Sequence, residues 1–229
     1  MNHIALLVLA VLCSELTFSK EISEKPIDLF NDLHSNEEWE ILNSIEDISI
    51  YTKKIKNKEL MAVMVSQELS LPKKMLQSVV MDVGRYGDFL QNSGSFISQE
   101  IKKTSSFVEG YQFIPIQIPF FDNREYIFRM FPTGYNKEDR TSIIHWFLLN
   151  EDTGFLAENK RLATYLDYGA GLWVAEKIED SRTNFSYRLY MDPGGSIPNF
   201  LVNTINKTSV INIFKDAVAE AQKRYESLH

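Results

Sequence analysis

An α+β fold, with one antiparallel sheet packed against one long C-terminal helix, is what this chain predicts. Six β-prone segments follow one another between Phe96 and Met191, split by Gly, Asn and Asp. Such hairpin-connected strands build an antiparallel sheet. After Pro193-Gly194-Gly195, Ser196 opens a stripe of apolar residues at helical spacing, from Ile197 through Leu201, Ile205, Val210, Phe214 and Val218 to about Ser227. A helix that long has to bury its stripe, and the sheet is the element that can receive it.

Composition bounds the answer. A length of 229 residues gives one sizeable domain, without internal repeats or a linker that would divide it. Apolar residues at 44% and charged residues at 24% are globular proportions, which rules out collagen-like, disordered and disulfide-scaffold chains. The net charge of −7 comes with no basic block, so a nucleic-acid role lacks the cations it would need.

The N-terminus differs from the rest. Ile4 to Leu12 is an unbroken apolar run, too short to span a bilayer and suited to the core of a signal peptide. Thr17 and Ser19 stand at −3 and −1 of a cleavage after Ser19. Residues 1–19 read as a signal peptide and 20–229 as the mature domain. The exported product would be periplasmic in a bacterium and secreted in a eukaryote. Cys13 is the single cysteine, and the bulky Leu12 before it argues against lipidation. Cleavage leaves no thiol, which excludes disulfides, thiol catalysis and cysteine-zinc sites.

The elements then follow in order. Lys20 to Asn36 reads as a short helix over Ile27, Leu29, Phe30 and Leu33. Trp39–Ser44, Ile48–Lys54 and Glu59–Leu69 read as strands, with a turn at Lys56-Asn57-Lys58. Ser70 is expected to cap a helix that starts near Pro72 and ends at Gly84. Arg85–Leu90 forms a second short helix. The strands are Phe96–Thr104, Phe107–Ile118, Arg124–Phe131, Thr141–Leu149, Leu166–Ile178 and Thr183–Met191. Glu151 to Ala163 is a longer connection, a candidate lid.

Three strings resemble the START family, the steroidogenic-acute-regulatory-related lipid-transfer domains. Trp39 followed by Ile48-Ser49-Ile50-Tyr51 looks like its opening strands. Pro119-Phe120-Phe121-Asp122-Asn123-Arg124-Glu125-Tyr126-Ile127 is similar to its P-x-x-x-N-R-D-aromatic-V segment. Met191-Asp192-Pro193-Gly194-Gly195-Ser196-Ile197-Pro198-Asn199-Phe200-Leu201-Val202-Asn203 is similar to the run that leads into its last helix. The resemblance implies a helix-grip fold, in which a curved antiparallel sheet wraps around the C-terminal helix and leaves an apolar tunnel for one lipid. Glu125 replaces the usual Asp. Met130 stands where sterol-binding members often carry Arg, and Arg129 is one residue out of register, hence on the opposite face. The head-group contact does not carry over.

Tyr126, Phe128 and Met130 alternate along one strand and share a face. With Tyr111, Phe113, Trp146 and Trp173 they are the candidate tunnel wall, or else ordinary aromatic core. Phe200, Asn203 and Phe214 are the candidates from the helix. Gly169-Ala170-Gly171 reads as a bend or bulge in its strand. Scattered histidines give no metal spacing, and no metal or cofactor is expected. Lys53, Lys54, Lys56 and Lys58 form a basic hairpin tip that would admit a transient membrane contact.

The favoured function is a non-enzymatic lipid carrier or sensor, monomeric, with a hydrophobic small molecule as its partner. A polyketide cyclase- or dehydratase-like enzyme on the same fold is the second reading; His145, Tyr126 or Tyr187 would then serve as catalytic groups inside the cavity. A ligand-free interaction module is the third, and it predicts a filled interior.

Overall fold

The computed structural model describes residues 26–90, 97–116, 121–151, 155–156, 162–179, 182–194 and 199–228, with the backbone alone for 199–208. Residues 1–19, the expected signal peptide, lie outside this range.

Among the described residues ten strands form a single sheet: β1 (Glu40–Ile45), β2 (Ile48–Lys54), β3 (Met61–Leu69), β4 (Ile97–Lys103), β5 (Val108–Ile114), β6 (Asn123–Phe131), β7 (Ser142–Leu148), β8 (Ala163–Tyr165), β9 (Gly169–Lys177) and β10 (Thr183–Met191). The order across it is β1-β2-β3-β10-β9-β7-β6-β5-β4, with every pair on that path antiparallel. β8 pairs with the start of β6 in parallel. Its three residues begin at the end of the Glu151–Ala163 connection and precede the expected strand at Leu166, too short to show a period. The helices are α1 (Ile27–His34), α2 (Lys73–Val80), α3 (Tyr86–Phe89) and α4 (Asn199–Glu226).

The sheet is covered on both faces. On the inner face α4 lays Val210, Phe214, Ala217, Val218 and Ala221 against Val63, Val65, Trp146 and Trp173. Those helix positions recur at three- and four-residue steps, the stripe the sequence shows. On the outer face α1 buries Leu29, Phe30 and Leu33 against Phe147, Leu172 and Val174. All seven residues of β7 are therefore buried. β1 is the opposite case, an edge strand exposed along its whole length.

Arg188 fastens α1 to the sheet. Its buried guanidinium donates to the carbonyls of Leu33 and His34 at 3.3 and 2.8 Å, and to Asn36 Oδ1 at 2.9 Å. A cation on the last carbonyls of a helix also meets the negative end of its dipole.

Several local expectations are corrected. Pro72, not Ser70, occupies the N-cap of α2, and no side chain caps it. That helix stops at Val80; Gly84 sits in the following 3₁₀ turn, Val83–Arg85. The turn at Lys56-Asn57-Lys58 forms around Asn57, whose φ of 59° is left-handed, a region asparagine tolerates.

Candidate functional site

An apolar cavity lies between the inner face of the sheet and α4. The face alternation of β6 builds one wall: Tyr126, Phe128 and Met130 all line it. Arg124 to Met130 is six residue steps, about 20 Å of strand. Trp146 from β7, Trp173 from β9 and Tyr187 from β10 continue the wall, while Val80, Tyr86 and Phe89 come from the α2–α3 region. Ser209, Val210, Ile213 and Ala217 of α4 face them. The space open to the centre of a water-sized sphere is about 130 Å³. Voids of roughly that size hold a benzene-sized guest, so a larger lipid requires the wall to widen.

Glycines make room for two of the wall's aromatic rings. Gly171 pairs with Trp146 across β9 and β7, and a Cβ on it would lie 2.5–2.7 Å from the indole. Gly110 pairs with Phe128 across β5 and β6, and a Cβ there would come within 2.6 Å of that ring. The Gly-Ala-Gly run thus provides clearance for a ring inside β9, next to a register shift in its pairing with β7. Tyr187 stacks on Trp173 at 4.4 Å, and Trp173 stacks on Phe214 at 5.7 Å.

Polar groups in the wall are few. The Tyr187 phenol stands in the wall, stacked on Trp173. Tyr126 donates to Gln112 Oε1, and Tyr86 to the Val80 carbonyl. Burial pushes all three phenols up, so each stays protonated. Among the described residues Arg124 is the one charged member of the wall. Its Nε donates to the Pro193 carbonyl at 2.6 Å, and its Nη1 and Nη2 to the Asp122 and Gly194 carbonyls at 2.6 and 3.2 Å. It thereby ties the start of β6 to the link between β10 and α4. Burial lowers its pKa, with the nearby Asp122 opposing.

Five of the expected wall residues therefore meet at one cavity: Tyr126, Phe128, Met130, Trp146 and Trp173. Tyr111 and Phe113 do not. They point to the outer face, where Tyr111 packs with Ile127 and Leu156 and donates to Glu125 Oε2 at 2.7 Å. Gln112 and Ile114, one residue out of phase, line the cavity instead. Phe214 is fully buried in the core behind Trp173 and is not part of the wall. The side chains of Phe200 and Asn203 lie outside the described residues.

His145 sits on the far side of the sheet. It is stacked on Phe131 at 4.6 Å, lies edge-on to Phe30, and its Nδ1 is 2.8 Å from the Thr133 carbonyl. The described part of the candidate lid, Phe155 and Leu156, also packs on the outer face, with Phe155 5.2 Å from the Tyr111 ring. At the basic hairpin Lys53 is buried and donates to the Asp32 carbonyl at 2.7 Å, and Lys58 lies over the Tyr168 ring. Lys54 and Lys56 remain exposed. Among the described residues no group of His, Cys, Asp and Glu is arranged to hold a metal.

No protein-family model matches the sequence, and no curated protein does. Solved structures do match. Human STARD10 superposes with a TM-score of 0.65 at 15% identity, over 90% of this chain and 84% of its own. Human StAR-related lipid transfer protein 5 gives 0.64 at 13% identity, over 84% of this chain and 90% of its own. The STAR-related lipid transfer protein of Xanthomonas axonopodis gives 0.61 at 16% identity, over 81% of this chain and 99% of that fragment. This is a START-like helix-grip fold. At these identities the likeness is one of architecture: the START-like sheet, the long C-terminal helix and the space between them.

Proposed function

We propose that this protein is a non-enzymatic carrier or sensor that encloses one lipid or comparably hydrophobic molecule between the sheet and α4. The observation that carries the reading is the apolar cavity itself, walled by aromatic rings and opened by two glycines. Lipid sites have this character, largely apolar with few polar anchors. Burying ligand surface supplies the driving force, about 25 cal/mol per Å² before the costs of association. The lipid-transfer names of the similar structures agree with it.

Two observations favour this reading over its rivals. His145, one of the three candidate catalytic groups, is held on the outer face by Phe131 and the Thr133 carbonyl, and the other two, Tyr126 and Tyr187, line the cavity as phenols that burial keeps protonated. The cavity disfavours a ligand-free module, whose interior would be filled. We further propose that the chain is exported through residues 1–19 and acts as a monomer, with only transient membrane contact.

Native mass spectrometry of the purified protein tests the proposal. A discrete added mass that organic extraction removes and identifies as a lipid is the expected result. A bare mass that stays bare after exposure to phospholipids, sterols and fatty acids would overturn it. N-terminal sequencing of the mature protein checks cleavage after Ser19.

A further inference from the structure

Arg124 brings a positive charge to an otherwise neutral cavity. It is only 4% exposed and stands at one end of the wall that β6 builds, with Met130 at the other. The remaining polar groups of the wall, among them Gln112, Ser209 and the protonated phenols, are uncharged. Among the described residues no Asp or Glu lines the cavity. The partners of the guanidinium are all backbone carbonyls, those of Pro193, Asp122, Asn123 and Gly194. They solvate the cation and leave its charge in place. The Asp122 carboxylate acts on it through space, but that side chain is exposed and approaches Thr164 Oγ1 at 3.5 Å. A guanidinium carries five N–H groups, and Nη2 gives one of its two to Gly194. The second finds no acceptor among the described residues.

A buried charge calls for a counter-charge. A neutral lipid that closed the cavity would take water from the cation and supply none. An acid would supply one, and a guanidinium matches the oxygens of a carboxylate or a phosphate in shape as well as in sign. The narrow space suits one chain better than two. We propose that Arg124 is the anchoring residue of the cavity, and that the ligand is a single-chain amphiphile whose anionic head group, a carboxylate or a phosphate, pairs with it while the chain runs along β6 past Tyr126 and Phe128 toward Met130. This deepens the carrier reading and rests on it.

The test offers the purified protein palmitate and methyl palmitate together, two probes that share a chain and differ in charge. Native mass spectrometry reads the ratio of the two bound masses. The wild type is expected to favour palmitate, or hexadecyl phosphate run in its place, by about tenfold over the ester. Whichever acid shows the larger ratio tells carboxylate from phosphate. Arg124→Gln should erase the ratio, and Arg124→Lys, which keeps the charge but not the planar fork, should retain part of it. The ester in the same sample separates loss of the charge from damage to the cavity, and a thermal melt checks folding. Should Arg124→Gln fail to fold, the wild-type ratio and Arg124→Lys carry the test. Equal uptake of acid and ester by the wild type overturns the proposal. So does a preference for the acid that survives in Arg124→Gln, and so does binding of phosphatidylcholine or cholesterol alone; the carrier reading survives all three. Failure of every lipid to bind overturns that reading too.

Discussion

Gly171 lies directly across from Trp146, and a Cβ on Gly171 would come within 2.5 Å of the indole Nε1. The φ of Gly171 is not left-handed, so the constraint at this position is space alone. One ring of the cavity wall owes its position to a missing methyl group on the neighbouring strand.

Gly171→Ala should therefore force Trp146 out of place. The expected cost is about 2 kcal/mol, or roughly 4–8 °C in Tm for a chain of this size. Adding Trp146→Phe should cost less than the sum of the two single changes, because the clash is shared. Thermal unfolding of the three variants reads this directly, and strict additivity would contradict it.

Neighbours on β6 should separate binding from packing. Phe128 lines the cavity, whereas Ile127 is buried on the outer face with Tyr111 and Leu156. Phe128→Leu should weaken lipid binding severalfold, while Ile127→Val should cost about 1 kcal/mol of stability and leave affinity unchanged. Lipid titration and urea unfolding of both variants measure the contrast. Equal losses of affinity would refute the face assignment.

Asp139 should make part of the stability depend on pH. Its side chain is only 1% exposed, 3.2 Å from His34 Nε2, and accepts the backbone N–H of Ser142 at 2.9 Å. Burial alone would raise its pKa, but the hydrogen bonds from His34 and Ser142 outweigh that and hold it well below the usual carboxylate range. The stabilisation is therefore complete above the unfolded value of about 3.9 and fades as pH falls toward the folded one. Asp139→Asn should be less stable than wild type by about 1.5–3 kcal/mol at neutral pH. The gap should narrow as the pH drops below about 4, as followed by denaturant midpoints. A gap of constant size would exclude the mechanism.

Arg188→Met should loosen α1 before anything else. The change leaves the Leu33 and His34 carbonyls and Glu176 without their cation. A loss of about 3–5 kcal/mol is expected for a buried charged network broken on one side. Hydrogen exchange should accelerate most at the amides of α1. Uniform acceleration across the sheet would show that the clasp is not local.

The sequence exposes the two faces of β6 because a strand alternates strictly and its two sets of side chains differ in kind. The same rule fails on β5. Tyr111 and Phe113 look like wall residues, but the outer face there is buried as well, under Leu156 and Phe155. Where both faces are buried, hydrophobicity cannot say which is which, and the modest Gln112 was overlooked. The stripe of α4 was legible from its spacing, yet the difference between Phe214 behind Trp173 and Ile213 beside the cavity is a rotation of one residue. His145 carried no mark of its side of the sheet. The Trp173–Phe214 stack joins residues 41 positions apart, and no local signal reaches that far.

Tyr187 and Arg188 are consecutive, so one strand serves two tenants: the first looks into the cavity and the second clasps α1 behind it. Bending β10 outward to admit a larger guest would tear at that clasp. The sheet behaves mechanically as the fixed jaw of a vice, bolted from behind at the strand that carries the wall.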